Sequence, residues 1–388
     1  MNCYALYAKD ICIRKMGSSG GVFPAISEQF IKKDGIVYAS VYNDDFSVGF
    51  ERIDELSRLR AAFTSKYMQS DSTGIYEKVE DDLRNKRNVL FCGTPCQVKG
   101  LKNFIELRNI ESNKLFTIDF ICHGVPSYYL FSYFLRSYTQ KKLVYLNMRS
   151  KDSGWSWYQY SWEFVFEDGS SEVIKQTDIP FMTAFSSNEF LRPSCYNCKS
   201  KKASVADITI GDFWGISDTG IKLNDRFGVS CLITNSSIGD REFQKYIDLF
   251  EYWDVEIKDI VKYNDGLKNS PQKSFKRNSA YKKIKKHTDT LHTISKITDY
   301  SVFEKAYRKF YQKLPLQKSN LNVIAKRERH LRYLHKKRED CCGCMACISA
   351  CPKRAIETRI DFEGFAYPVI DIEICINCNI CKKVCPYC

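Results

Sequence analysis

The stretch VLFCGTPCQVKGL, residues 89–101, joins a short apolar run to a tight turn and a cysteine. Residues 89–91 have the character of a buried strand and GTP at 93–95 is a turn sequence, so Cys96 stands at the carboxyl end of the strand. TIDFICHGVPS, residues 117–127, repeats this order with Cys122 and His123. Because sites in open α/β sheets gather at this edge, both cysteines are candidate site residues, although an inert core thiol is the commoner case for each.

Other strand-like and helical segments alternate around these two. Apolar runs rich in β-forming residues begin at Gly35, Asn88, Leu115 and Gly228, and residues 75–87 and 127–138 have helical spacing. This alternation predicts an α/β core domain with a mixed, largely buried sheet. Residues 156–176 predict a hairpin that turns at EDGS.

A third cysteine motif lies in the loop LRPSCYNCKSKKASVADITIGDFWG, residues 191–215. Its Cys195-x2-Cys198 pair, added to Cys96 and Cys122, gives four thiolates, enough to hold a 4Fe–4S cluster. A structural zinc site is the alternative from chemistry alone. Cys3, Cys12, Cys92 and Cys231 have no such turn context and are predicted not to be ligands.

The last 48 residues contain two cysteine runs with the same C-x2-C-x2-C-x3-C-P spacing. This doubled spacing is the signature of two-cluster bacterial ferredoxins, in which the fourth cysteine of each run binds the other cluster. It predicts a first 4Fe–4S cluster on Cys341, Cys344, Cys347 and Cys385, and a second on Cys375, Cys378, Cys381 and Cys351. A pair of zinc sites does not account for this spacing. Cys342 and Cys388 fall outside it and are predicted not to be ligands.

The segment GSSGGVFPAISEQFIKK, residues 17–33, runs from glycine and serine into an amphipathic helix that should start near Val22. Backbone N–H groups at such a start can bind a phosphate, and a plain helix N-cap is the equal alternative. The segment is neither a Walker A loop nor a GxGxxG fingerprint.

The composition is that of a globular protein with many cysteines. The chain has 388 residues, 14% aromatic residues and 18 cysteines, which fits a globular protein of two or three domains. It has neither an apolar run long enough to span a membrane nor a signal-peptide pattern at its start, so we expect a cytoplasmic protein. Thiols stay reduced in that compartment, and many cysteines then indicate metal ligands.

The formal net charge of +13 is concentrated in one stretch. Residues 268–338 hold 21 Lys/Arg and 4 Asp/Glu, a local charge of 21 − 4 = +17. Solvated helices with basic outer faces are the main interpretation, and polyanion binding is the alternative. Nucleic acid is an unlikely partner because no nucleic-acid module is recognisable. The predicted domains are therefore a core at 1–263, a basic helical linker at 264–338, and a small α+β domain like a bacterial ferredoxin at 339–388.

Six motifs in this order resemble the coenzyme F-420 hydrogenase/dehydrogenase beta-subunit family, in particular its bacterial branch associated with polysaccharide biosynthesis. The motifs are GSSGGVF (17–23), SKYMQSD (65–71), VLFCGTPCQVKGL (89–101), ICHGVP (121–126), LRPSCYNC (191–198) and ADITIGDFWG (206–215). The resemblance covers roughly residues 1–263 together with the cysteine-rich tail. Many relatives carry the two-cluster module before the GSSGG segment, whereas here it follows.

The resemblance implies an FAD cofactor and a 4Fe–4S cluster bound by the core domain. It assigns the cluster to Cys96, Cys122, Cys195 and Cys198, in agreement with their turn context. It also implies flavin contacts by the SSGG and SKY segments, which here are Ser18, Ser19, Gly20, Gly21, Ser65, Lys66 and Tyr67. Use of a deazaflavin does not follow from it.

These features together predict an iron–sulfur flavoprotein oxidoreductase. Electrons would pass from a ferredoxin-like donor protein through the clusters to FAD, and then as a hydride to a small metabolite, for example a sugar or sugar-nucleotide. His123 is the candidate proton donor, with a structural turn histidine as the alternative. Asp212 and Trp214 are interpreted as a turn with a packed indole. Two other functions stay open, namely a non-enzymatic electron-transfer subunit of a larger redox complex and a polyanion-binding regulator.

Overall fold

A computed structural model describes residues 1–201, 204–223, 226–286 and 330–388. Most of the predicted basic linker, residues 287–329, lies outside the described residues. Within the described part of the chain, no helix is both long enough and apolar enough to cross a membrane.

An eight-stranded mixed sheet forms the centre of the core. Its strands are β1 Cys3–Ala8, β2 Ile36–Tyr42, β3 Val48–Ile53, β4 Val89–Gly93, β5 Leu115–Phe120, β9 Ile208–Asp212, β10 Ser230–Thr234 and β11 Phe250–Asp254. They lie in the order β11-β1-β10-β9-β5-β4-β2-β3. The four strands from β2 to β9 are parallel, and the strands at both margins are antiparallel. The predicted α/β core with a mixed sheet is confirmed.

Helices cover both faces of this sheet. Successive side chains of a strand point to opposite faces, and in these strands the side chains on both faces are mostly apolar. They are α1 Ile11–Met16, α2 Val22–Lys32, α3 Leu56–Leu59, α4 Ile75–Arg84, α5 Pro95–Leu107, α8 Ser237–Gln244 and α9 Ile257–Tyr263. On one face, α2 and α8 bury Phe30 and Phe243 against Leu6 and Leu232. On the other, α4 and α5 bury residues such as Val79 and Leu101. Burial on both faces leaves the carboxyl edge of the parallel strands as the place for a site.

A smaller sheet stands beside the core. It consists of β6 Leu143–Ser150, β7 Ser161–Phe166 and β8 Ser171–Lys175, and it includes the predicted EDGS hairpin. Helices α6 Tyr128–Tyr138 and α7 Pro180–Ser186 pack on it through an aromatic core. Phe131, Phe134 and Trp162 are fully buried there.

The tail is a small α+β unit that packs on the core. It contains β12 Leu331–Tyr333, β13 Ile356–Ile360 and β14 Ala366–Asp371 in the order β12-β14-β13, with helices α11 Ala346–Ser349 and α12 Ile380–Lys383. Before the tail, helix α10 Arg277–Lys286 lies within the basic stretch. The tail sheet begins at Leu331, ahead of the boundary predicted at residue 339.

Candidate functional site

The structure brings the four core cysteines, Cys96, Cys122, Cys195 and Cys198, to one edge of the central sheet. We call them the core thiol group. Neighbouring parallel strands β4 and β5 place Cys96, at the start of α5, and Cys122, two residues after β5, at the same carboxyl edge. Cys195 lies in a 3-10 turn at Pro193–Asn197, and Cys198 follows that turn. All four cysteines are half-buried.

Local geometry explains how these turns fit together. Thr94 and Gln97 form a capping box at the start of α5, and the Thr94 Oγ1 lies 3.2 Å from the Cys96 Sγ. Gly124 has a φ of 150°, and an added Cβ there would lie 3.3 Å from the Cβ of Cys195. A glycine at 124 therefore lets the Cys122 turn approach the Cys195 turn closely.

The thiols of the core thiol group have raised pKa values. Burial, together with the neighbouring thiols of Cys198 and Cys96, raises the pKa of the Cys195 thiol to about 12. The pKa of Cys122 is raised in the same way by burial and by its three partner thiols, against the lowering effect of Lys201. Close thiols that hold their protons release them when a metal centre supplies positive charge. The four-sulfur donor set fits a 4Fe–4S cluster.

The tail cysteines form two more groups of four, and each contains the cysteine expected from the other run. We call Cys341, Cys344, Cys347 and Cys385 the inner tail thiol group, and Cys351, Cys375, Cys378 and Cys381 the outer tail thiol group. Within the inner group, Cys385 acts on the pKa of both Cys344 and Cys347. Within the outer group, Cys351 acts on the pKa of Cys381. These donor sets fit two 4Fe–4S clusters.

The two tail groups differ in exposure. Cys341, Cys344 and Cys347 are 6%, 6% and 7% exposed because they face the core domain. In the outer group Cys378 is exposed and its three partners are half-buried. The inner tail thiol group is therefore enclosed, and the outer one faces solvent.

Residues 86–259, which include the whole core thiol group, match the family described as the C terminus of the beta subunit of coenzyme F420 hydrogenase/dehydrogenase. This region of the chain is therefore similar to that beta-subunit family. No curated protein sequence matches the chain. Among solved structures, a chain of the F420-reducing [NiFe] hydrogenase complex from Methanosarcina barkeri is similar, with a TM-score of 0.48 and 14% sequence identity. That similarity covers 73% of this chain and 91% of the other.

The core and the tail meet at a junction between their thiol groups. Cys342, predicted to be a non-ligand, lies there, and its thiol is close enough to those of Cys96 and Cys344 to shift the pKa of both. An added Cβ at Gly100, one turn after Cys96 in α5, would lie 3.0 Å from the Cys344 Sγ. The core and inner tail thiol groups are therefore in direct contact through these residues.

Arg192 is a further residue of this junction that the sequence analysis did not identify. It is fully buried, and its guanidinium donates to the Cys341 carbonyl at 2.8 Å and to the Ala366 carbonyl at 2.9 Å. Although burial lowers its pKa, Tyr367 and the surrounding thiols, including Cys341 and Cys195, hold the pKa above its ordinary value. A permanent positive charge thus stands between the core and inner tail thiol groups.

The segments predicted to contact flavin lie together, but they use their side chains differently. The Ser18 hydroxyl accepts from the backbone N–H of Ser65 at 2.7 Å, which joins the two segments. The Ser19 hydroxyl donates to the carbonyl of Val229, the residue before β10, and the Gly20 backbone N–H donates to the hydroxyl of Ser230 in β10. These two residues therefore fix the loop to the sheet.

The remaining predicted residues have environments of their own. Gly21, with a φ of 83°, is the N-cap of α2 and has no side-chain cap. Burial lowers the pKa of Lys66 to about 7, against the opposing effect of Cys92, and the Lys66 Nζ donates to the Thr64 carbonyl at 2.9 Å. The Tyr67 ring packs on Phe185 with ring centroids 5.4 Å apart.

A buried arginine and an aromatic cluster adjoin these segments, and the sequence analysis missed their role. Arg149 donates to the Ser18 carbonyl at 2.9 Å and to Asp212 at 2.8 Å, and its guanidinium lies over the Tyr160 ring. Trp155 donates to the same carboxylate and stacks on Trp214 at 4.8 Å. The signal available in the sequence was GDFWG, interpreted as a turn with a packed indole.

One atom of this cluster has no partner. The Nε of Arg149 is buried and makes no hydrogen bond, whereas a buried donor normally has one. A planar, anionic group that accepts from Nε and lies among the aromatic rings would satisfy it. The residues present therefore fit FAD, whose binding would supply such acceptors.

His123 is held firmly beside the core thiol group. Its Nε2 lies 2.6 Å from the Asn188 Oδ1, and its ring packs edge-on against Phe185 at 5.0 Å. Burial lowers the pKa of the imidazole, and the bond to Asn188 opposes this. Phe185 also contacts Tyr67, so His123 and the predicted flavin segment are separated by one side chain.

Proposed function

We propose that the chain is an iron–sulfur flavoprotein oxidoreductase that takes electrons from a ferredoxin-like protein and delivers a hydride to a small metabolite. The observation that carries this proposal is the arrangement of three groups of four thiols, with the inner tail group in contact with the core group through Cys342 and Gly100. The similarity of residues 86–259 to a family of hydrogenase and dehydrogenase subunits supports a redox role. When bound, 4Fe–4S clusters would supply one-electron transfer, and FAD would supply the conversion of single electrons to a hydride.

The residues of the chain would hold these groups in order. The core, inner tail and outer tail thiol groups would each bind one 4Fe–4S cluster through four thiolates. Arg192, buried between two of these groups, would offset the negative charge of thiolate ligands on both sides. Its bonds to the Cys341 and Ala366 carbonyls would also fix the distance between the core and the tail.

The residues beside the core thiol group would bind the flavin and the substrate. Ser18, Ser65, Lys66 and Tyr67 would contact the flavin, together with Arg149 through its unpaired Nε. Ser19, Gly20 and Gly21 would shape the loop. Asn188 fixes the Nε2 side of the His123 ring, so Nδ1 would exchange a proton with the substrate. A sugar or sugar-nucleotide substrate, and a place in polysaccharide biosynthesis, rest on the family resemblance.

A cofactor inventory tests this proposal. Protein purified without oxygen should contain about twelve iron atoms per chain, equal sulfide and one flavin. Cys195→Ser and Cys378→Ser should each lose about four iron atoms, whereas Cys12→Ser, an exposed cysteine outside all three groups, should lose none. Zinc in place of iron in the core group, or iron loss in Cys12→Ser, would contradict the assignment.

A non-enzymatic electron-transfer subunit is the second candidate, because the matching family is one of beta subunits, which are parts of larger enzymes. The two candidates make different predictions for the isolated chain. An enzyme should oxidise or reduce a sugar or sugar-nucleotide with a reduced ferredoxin as electron donor. An electron-transfer subunit should exchange electrons with ferredoxin and leave every such metabolite unchanged.

A further inference from the structure

The outer tail thiol group faces solvent on a surface of unusual composition. We propose that this surface docks an acidic electron-carrier protein, an inference that rests on the proposed function and names its partner. We call it the entry surface and define it by Ile372, Ile374, Ile376, Lys382 and Lys383. These five residues flank the thiols of Cys375 and Cys381 in sequence, so a protein bound there would lie against the outer group.

The apolar part of the entry surface is three isoleucines in alternate positions. Ile372, Ile374 and Ile376 are 46%, 49% and 56% exposed, and Cys375 lies between the last two. Single exposed apolar residues are ordinary, but three within five residues beside a candidate redox site indicate a contact surface. A patch of this small size suits a weak, transient complex of the kind that electron carriers form.

The polar part of the entry surface is basic. Lys382 and Lys383, in α12, are exposed, and neither forms an ion pair with a described residue. Lys353 and Arg354, which follow Cys351 of the same thiol group, are exposed and equally unpaired in the described structure. Asp371 and Glu373 are the acidic residues of the neighbouring loop, so these six side chains sum to 4 − 2 = +2. Such a surface attracts an acidic protein and steers its approach.

Charge also argues against other occupants. Residues 287–329 of this chain hold nine Lys/Arg and four Asp/Glu in sequence, and a second copy of the chain carries +13 overall. The net positive charge of the entry surface would repel both. A small-molecule reductant needs no docking surface. The entry surface therefore fits a macromolecular partner of negative charge.

Reduction kinetics test the inference. We would mix the anaerobic full-length protein with a reduced, small acidic ferredoxin or with dithionite, and follow bleaching of the cluster absorbance by stopped flow. In Lys382→Glu/Lys383→Glu the second-order rate with ferredoxin at low salt should fall about 10-fold or more, because steering contributes factors of 10–10³. The rate with dithionite should not change by a comparable factor. Ile374→Ser/Ile376→Ser should slow the ferredoxin reaction at all salt concentrations.

The matched control is Lys282→Glu/Lys283→Glu, an adjacent pair of exposed lysines in α10. A wild-type ferredoxin rate in Lys382→Glu/Lys383→Glu, an equal loss in the control, or a wild-type rate that rises with salt would overturn the inference. Iron content and the dithionite reaction report on the proposed function separately. A wild-type protein without iron would refute that function, whereas iron-loaded protein that reacts with dithionite but not with ferredoxin refutes only the docking surface.

Discussion

Replacing one buried carboxylate should loosen the tail from the core. Glu363, in the turn between β13 and β14, is 2% exposed and accepts from both Nη atoms of Arg277 in α10, at 2.8 and 2.6 Å. It also pairs with Arg338, which in turn pairs with Asp361 at 2.5 Å. Arg277 donates to the Leu191 carbonyl of the core at 2.9 Å. Glu363 therefore completes a buried network that connects the core, α10 and the tail.

The expected cost of Glu363→Gln follows from the charges that remain. The buried guanidinium of Arg277 would lose its carboxylate partner, and that of Arg338 would keep only Asp361. Breaking a buried pair in this way costs about 3–5 kcal/mol. Urea unfolding of the anaerobic protein, followed by tryptophan fluorescence, should measure this loss as a lower midpoint. In the double variant with Arg277→Met, the loss should be smaller than the sum of the two single losses.

An exposed pair in the same hairpin gives the control. Glu357 lies 2.9 Å from Arg359, both are about half exposed, and Glu357→Gln should cost less than about 1 kcal/mol. Burial alone would raise the pKa of Glu363, but Arg277 and Arg338 hold it below its ordinary value. The contribution of Glu363 is therefore present above the unfolded pKa of about 4.3, and is lost as the pH falls through the folded pKa. Equal losses in Glu363→Gln and Glu357→Gln, or a difference independent of acid pH, would refute this reasoning.

Three further changes give independent tests. Gly100→Val should lower the free energy of unfolding by about 1–3 kcal/mol, because a Cβ there meets the Cys344 Sγ at 3.0 Å; an unchanged urea midpoint would show that the junction yields freely. Burial raises the pKa of Asp119 to about 6, so its stabilising protonated form is lost as the pH rises through that value. Ionisation of Asp119 should therefore lower the free energy of unfolding of the wild-type protein by about 3 kcal/mol between about pH 4 and pH 7, and Asp119→Asn should not show this decrease. Parallel plots of unfolding free energy against pH for the two proteins would contradict this. Arg149→Gln should weaken flavin binding about tenfold or more with unchanged iron content, as measured by flavin released on dilution, and full flavin retention would count against the pocket.

Sequence reasoning reached the parts of the fold that repeat a local pattern. The parallel strands β2, β4 and β5 are short apolar runs bounded by turn residues, and α2 begins at Val22 as predicted. Strands β3 and β11 were missed because they mix polar and apolar residues. Strand β1 is apolar, but its partners β10 and β11 lie at the far end of the core sequence, and pairing with them decides its structure. The cysteine groups were found because metal ligands require fixed spacing or turn positions.

The residues that sequence reasoning missed share one property, which is that their partners are distant in the chain. Arg192 gains its position from Cys341, 149 residues away, and Arg149 gains its position from Ser18, 131 residues away. Arg149 stands in none of the six motifs, and Arg192 lies in LRPSCYNC, where the spacing indicates a role only for the two cysteines. Cys342 was set aside for its spacing, and only the packing of the tail on α5 places its thiol beside Cys96.

The unequal exposure of the two tail thiol groups has a consequence for oxidation of the protein. Dioxygen and peroxide would reach the surface-facing sulfurs around Cys378 long before those around Cys344, which the core encloses. Damage should thus begin at the outermost centre and cut the supply of electrons while the interior stays intact. Repair would then require rebuilding only the cluster of the outer tail thiol group, and the other two thiol groups would be spared.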